Sequence, residues 1–97
     1  MVPAKKPVIW YPEAKNELVE ILDFFDERNG SCLYSGKLYS KIEKRLSLVA
    51  DDYLLGEETN RENIRQLVVE NYSILYRLRS EAVDVLSIRD GRRDEEF

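Results

Sequence analysis

From Ile64 to Ile88 the chain alternates apolar and polar residues through three short segments, separated by two-residue breaks at Glu70-Asn71 and Ser80-Glu81. A period of two puts successive side chains on opposite faces of a strand, and breaks this short join only antiparallel neighbours. The pattern predicts strands over 64–69, 72–79 and 82–88, with Asn71 taking the positive φ that a tight hairpin requires. In the middle strand Tyr72, Ile74, Tyr76 and Leu78 share one face. Ser73, Leu75, Arg77 and Arg79 share the other, which is expected to meet solvent or a partner.

The sheet must cover one face, and the preceding residues offer two helices to do so. Pro12 suits the first helical turn, where its missing N–H costs nothing, and Glu13 complements the positive end of the helix dipole. Ala14, Leu18, Ile21, Leu22 and Phe25 recur at helical spacing, predicting a helix over 12–28 that Asn29-Gly30 ends with a left-handed cap. Ser31 is expected to cap a second helix through its hydroxyl, whose stripe is Tyr34, Leu38, Ile42, Leu46 and Val49. Gly36 inside it marks either a close helix–helix approach or a weak turn. Ahead of both helices, Val8 to Tyr11 is β-branched and aromatic between Pro7 and Pro12, which suits an edge strand. The polar segment 51–63 carries Gly56 and no periodicity, and is expected to be an exposed, mobile connection. The expected class is therefore α+β: an N-terminal strand, two antiparallel helices, and a three-stranded antiparallel meander with the helices packed on one face.

Ninety-seven residues with 43% apolar content make one domain over 1–97, with 1–7 and 94–97 expected as flexible tails. A net charge of −4 gives no general attraction to nucleic acid or to an anionic membrane. No apolar run has the length of a signal peptide or a membrane span, so a cytoplasmic location is expected. Cys32 stands alone, which excludes an internal disulfide and suggests an inert buried or half-exposed thiol. With no histidine, zinc has no plausible ligand set, and neither a metal nor another cofactor is expected. The acidic residues of the first helix (Glu13, Glu17, Glu20, Asp23, Asp26 and Glu27) suit a solvated face. Of nine arginines only Arg28 and Arg45 precede Arg61, whereas every lysine lies at or before Lys44. The C-terminal half thus carries guanidiniums, which grip phosphate or carboxylate with a planar fork.

Ile9-Trp10-Tyr11-Pro12-Glu13-Ala14, with Leu18 and Ile21 on the first helix and Leu38 and Ile42 on the second, resembles the opening of the RelE/ParE superfamily of bacterial toxins. Ile64-Arg65-Gln66-Leu67, Asn71-Tyr72-Ser73-Ile74-Leu75-Tyr76-Arg77 and Val83-Asp84-Val85-Leu86-Ser87-Ile88, followed by Asp90-Gly91-Arg92-Arg93, are similar to its three closing strands and terminal arginines. The resemblance runs from about residue 8 to 97. It implies the toxin of a type II toxin–antitoxin, or plasmid addiction, module, held inactive by a cognate antitoxin protein. RelE-like members cleave messenger RNA on the ribosome; ParE-like members poison DNA gyrase.

Cleavage by 2′-hydroxyl attack needs a proton acceptor, a proton donor and cations for the phosphorane. The nuclease branch places a tyrosine near its C-terminus and an arginine after the tyrosine that opens the third strand. Phe97 and Ser73 occupy those places here. If the chain were a nuclease, Arg65 and Arg93 would serve as cations, with Glu70 or Tyr72 as acid-base groups. The resemblance therefore favours the gyrase-poisoning branch over the nuclease or an inactive antitoxin-binding relative. Arg65, Arg77, Arg89, Arg92 and Arg93 are the candidate target-binding residues, Arg65 and Arg93 being expected at one end of the sheet. Arg77 and Arg79 could equally be a solvated face paired with Asp84, worth under about 1 kcal/mol as surface ion pairs. Arg89, Arg92 and Arg93, beside Asp94, Glu95 and Glu96, could be a charged tail. Val19, Phe24 and Tyr39 flank the helical stripes, and are the candidate contacts for an antitoxin helix.

Overall fold

The computed structural model describes residues 6–90. Its order is β1 (Val8–Trp10), α1 (Pro12–Asn29), α2 (Leu33–Asp51), β2 (Glu57–Glu58), β3 (Ile64–Val69), β4 (Tyr72–Leu78) and β5 (Val83–Asp90). The meander β3-β4-β5 forms as its alternation predicts, but within a larger mixed sheet of five strands ordered β1-β5-β4-β3-β2. The expected N-terminal edge strand forms as β1, and one further strand, β2, corrects the expected strand count. Edge strand β1 joins the last strand in parallel, Val8, Ile9 and Trp10 opposite Val83, Asp84 and Val85. At the far edge β2 pairs antiparallel with β3, so part of the segment expected as an exposed connection is sheet. Two residues carry no detectable period, which is why β2 escapes a sequence reading.

Pro12 opens α1 and Gly30 closes it at φ 63°. Ser31 falls just short of the expected capping position: Cys32 is the N-cap of α2, and the Ser31 hydroxyl accepts the Leu33 N–H at 3.1 Å. Cys32 is exposed, not the buried or half-exposed thiol expected. A Cβ on Gly36 would meet nothing within 4 Å, so this glycine serves no close approach and is a weak turn in α2. At the hairpin the positive φ falls on Glu70 (55°) and not on Asn71.

The core lies between the helical pair and one face of the sheet. Ala14 and Leu18 from α1 and Leu38, Ile42, Leu46 and Val49 from α2 meet Leu67, Val69, Tyr72, Ile74, Tyr76, Val83, Val85 and Ile88. In β5 the core-facing residues change parity. Leu75 pairs with Ser87 while the next residue, Tyr76, pairs with Val85, which leaves Leu86 as an extra, bulged residue. The bulge lets Val83 and Val85 before it and Ile88 after it all enter the core.

Gly56 and Tyr76 tie the 51–58 segment to that core. The Tyr76 hydroxyl accepts the Gly56 N–H at 2.9 Å and donates to the Tyr53 carbonyl at 3.1 Å. A Cβ on Gly56 would lie 2.7 Å from both the Gln66 carbonyl and that hydroxyl, so no other residue fits without displacing backbone. Burial pushes the Tyr76 phenol pKa up, with the Gly56 N–H and Arg65 opposing it. The N-terminal end is tied as well: Pro7 accepts the Val83 N–H at 2.9 Å and Lys6 donates to the Arg79 carbonyl at 2.7 Å. No helix of the described residues is long and apolar enough to cross a membrane.

Candidate functional site

The face of the sheet opposite the core carries Ile64, Gln66, Ser73, Leu75, Arg77 and Asp84, as the pairing of β3, β4 and β5 requires. Its most organised feature surrounds Asp84. This carboxylate is fully buried although no helix covers it, because neighbouring side chains close over it. Arg79 straddles it, Nε to Oδ2 at 2.7 Å and Nη2 to Oδ1 at 2.9 Å, while Arg77 Nη2 reaches Oδ2 at 3.2 Å. From the start of α1 the Tyr11 hydroxyl donates to Oδ2 at 2.9 Å and accepts from Arg77 Nη2 at 2.7 Å. Hydrogen bonds from Arg79, then Tyr11 and Arg77, outweigh desolvation and hold the carboxyl at about 2, below its ordinary 3.8. Arg77 and Arg79 are thus brought together as anticipated. Their partner is a buried carboxylate, however, shared with the Tyr11 hydroxyl, so that removing any one of these partners leaves a buried charge less compensated.

The other described candidates, Arg65 and Arg89, lie apart from this cluster. Arg65 pairs with Tyr76, which places its side chain on the helix side of the sheet, and only 16% of it is exposed. Its Nε donates to the Gly56 carbonyl at 2.8 Å and its Nη2 to the Leu54 carbonyl at 3.4 Å. Glu58 lies 3.8 Å from Nη1. Arg89 pairs with Ser73, three residues from Tyr76 along β4, so Arg65 and Arg89 do not share an end of the sheet. Arg89 lies 3.8 Å from Glu17, whose other oxygen accepts the Ile88 N–H at 3.1 Å. Arg92 and Arg93, like Phe97, lie outside the described residues, so the pairing expected of Arg65 with Arg93 falls there too.

Of the acid-base candidates, Glu70 sits on the β3–β4 hairpin in an ion pair with Lys41, and Tyr72 is buried in the core. Ser73 receives a hydrogen bond from Gln66 at 2.7 Å. Arg65, Glu70 and Tyr72 thus have three different settings: the carbonyls of the 54–56 segment, Lys41 at the hairpin, and the core.

The candidate antitoxin contacts are all exposed: Val19 50%, Phe24 54% and Tyr39 42%. Phe24 meets Phe25 edge to face at 5.2 Å, and Phe25 in turn packs on Tyr34 of α2 at 4.7 Å. Phe24 also walls a groove of about 500 Å³ between α1 and the end of β5, with Ile21, Phe25, Tyr72 and Ile88 as its apolar lining and Glu17, Glu20 and Arg89 among its charged neighbours. Tyr39 belongs to α2, beside Glu43. The sequence reading missed the Asp84 clasp as a buried unit; the Asp84 position between two core valines was the available signal.

Comparison with solved structures bears on the fold. A chain entitled "Chromosomal ParDE TA system from P. aeruginosa" superposes with a TM-score of 0.75, covering 89% of this chain and 96% of that one at 18% identity. At that identity the likeness is one of fold. The family follows from the sequence: the model described as "ParE toxin of type II toxin-antitoxin system, parDE" matches residues 8–95, and the chain belongs to that family. The curated proteins contain no match.

Proposed function

We propose that this ParE-family toxin acts by trapping DNA gyrase and is neutralised by a cognate antitoxin made beside it, the pair forming an addiction module. The observation that carries this reading is the engagement of Arg65. A ribonuclease of this fold would need that guanidinium turned toward a scissile phosphate; here its donors meet backbone carbonyl oxygens of the 54–56 segment on the helix side of the sheet. Ser73 stands where the nuclease branch uses an arginine and holds Gln66 instead. Loss of acid-base partners costs a nuclease about 10²- to 10⁴-fold. A gyrase poison needs a binding surface and no hydrolytic constellation, so neither feature counts against it.

The test is growth arrest on expression without the antitoxin, followed by assays of supercoiling and of cleavage complexes with purified gyrase. Inhibited supercoiling and trapped DNA breaks are expected. Growth arrest with untouched gyrase and cut messenger in translating cells would return the chain to the nuclease branch.

A further inference from the structure

We propose that residues 91–97 lie in the groove between α1 and the end of β5, a strap supplied by the chain itself that holds Arg92 and Arg93 against the helix. The seat does not depend on the toxin reading above. Both walls of the groove point the same way. At the start of α1 the Tyr11 hydroxyl meets Asp84, and further along Glu17 meets the Ile88 N–H, so helix and strand advance together. Past that level α1 continues from Glu17 to Arg28 for about 16 Å at 1.5 Å per residue, whereas β5 continues only from Ile88 to Asp90, about 7 Å. Asp90 is the last described residue and itself lines the groove, with Ile21, Phe24 and Phe25 on the facing wall. The chain that leaves β5 thus sets out inside the groove.

About 9 Å of groove remains beyond Asp90, which three extended residues would cover, and seven residues follow. That slack lets Gly91 bend, as its missing Cβ allows, and bring Arg92 beside Glu20. The charges run in matching order. Along α1 the groove presents Glu17 and Glu20 first and Arg28 last; the segment presents Arg92 and Arg93 first and Asp94, Glu95 and Glu96 after them. Glu17 already serves Ile88 and Arg89, so the exposed Glu20 is the carboxylate open to a new guanidinium. Between the charged ends the wall is apolar, with Phe24 54% exposed, and Phe97 is a ring of the kind such a wall takes. Opposite charges at both ends favour one orientation, along α1 in the direction of β5. While the strap is seated, Arg92 and Arg93, the residues expected at the target, are withheld from it, and a partner that takes Phe24 must first displace the strap.

The experiment uses the full chain with Cys32→Ser, leaving Glu96→Cys as the sole site for a nitroxide spin label, and reads paramagnetic broadening of backbone amide signals by NMR at low salt. Circular dichroism checks that each variant folds. Amides of α1 from 20 to 28 are expected to lose most of their intensity, while those of the Ser80-Glu81 turn, at the opposite end of the sheet, keep theirs. Glu20→Lys should restore most of the α1 intensity, and so should high salt, because charge holds the contact. Arg92→Glu with Arg93→Glu, added to Glu20→Lys, should bring the broadening back. Full intensity along α1, or broadening that Glu20→Lys leaves unchanged, overturns the strap. Broadening in a mixture of separately spin-labelled and isotope-labelled chains, as strong as within one chain, overturns it too, since the occupant is then a second copy. None of these results bears on gyrase trapping, so the toxin reading stands or falls by its own assays.

Discussion

Asp84 on β5 stands directly opposite Arg77 on β4 and, through the same Oδ2, also holds the Tyr11 hydroxyl from the start of α1. One carboxylate thereby joins the parallel seam between β1 and β5 to the antiparallel ladder of the meander. Arg79 completes the enclosure with two hydrogen bonds from a single guanidinium. The arginine pair lies on the open face of the sheet, yet its work is to hold the N-terminal strand in place.

The clasp has a pH signature. Asp84 is held at about 2 in the folded chain against 3.8 ordinarily. A depressed carboxyl stabilises the fold fully above its unfolded value, and the stabilisation is lost as pH falls through the folded value. Stability should decline between about pH 4.5 and pH 2, and the partial exposure of both guanidiniums limits the loss to on the order of 1–2 kcal/mol. In Asp84→Asn that acid-dependent component should vanish, leaving a less stable protein whose melting temperature changes less over this window.

Gly56 and Tyr76 should prove interdependent. Tyr76→Phe leaves the Gly56 N–H and the Tyr53 carbonyl without their shared partner, which costs about 1–3 kcal/mol. Gly56→Ala places a methyl group against backbone and ring, and should cost about as much or more. Urea denaturation of both single variants and the double would show losses well short of additive if they break the same contact.

Gly36→Ala should act in the opposite direction. The site has open space for a methyl group, and alanine gains up to about 1 kcal/mol over glycine inside a helix. A rise in melting temperature with unchanged antitoxin affinity is the expected result; a fall would mean that the helix needs this glycine.

Glu17→Ala removes the side chain that accepts the Ile88 N–H beyond the last residue paired with β1. A loss of about 1–2 kcal/mol is expected, with faster hydrogen exchange at Ile88 than at Ile74. Glu17→Gln keeps an acceptor oxygen and should recover much of the loss.

Arg65→Ala tests whether this residue serves the fold. Freed of its donors, the 54–58 segment should exchange its amide hydrogens faster and the protein should lose about 1–2 kcal/mol. Under the gyrase reading the folded variant retains trapping activity. A stable variant that had lost messenger cleavage would instead mark Arg65 as part of a nuclease.

Local periodicity made much of this architecture legible in the chain. The alternation of Tyr72, Ile74 and Tyr76 against Ser73, Leu75 and Arg77 is a property of the strand itself, and so are the helical stripe through Leu38, Ile42 and Leu46 and the left-handed stop at Gly30. These depend on neighbours within a few residues. The asymmetry of arginine and lysine was equally visible, as was the resemblance that the family match then established.

The sequence determined the elements and their faces, because side-chain spacing and backbone preference act over short distances. Tertiary structure alone decided the partners: β1 lying parallel to β5 across more than seventy residues, β2 recruited as an edge, Leu86 bulged so that Val85 and Ile88 could both be buried, and Arg65 turned onto carbonyls that are near it only once the chain has folded. Each of those outcomes is a contact between segments whose separation in the chain leaves no periodic trace. The roles of the arginines therefore follow from what the fold brings beside them.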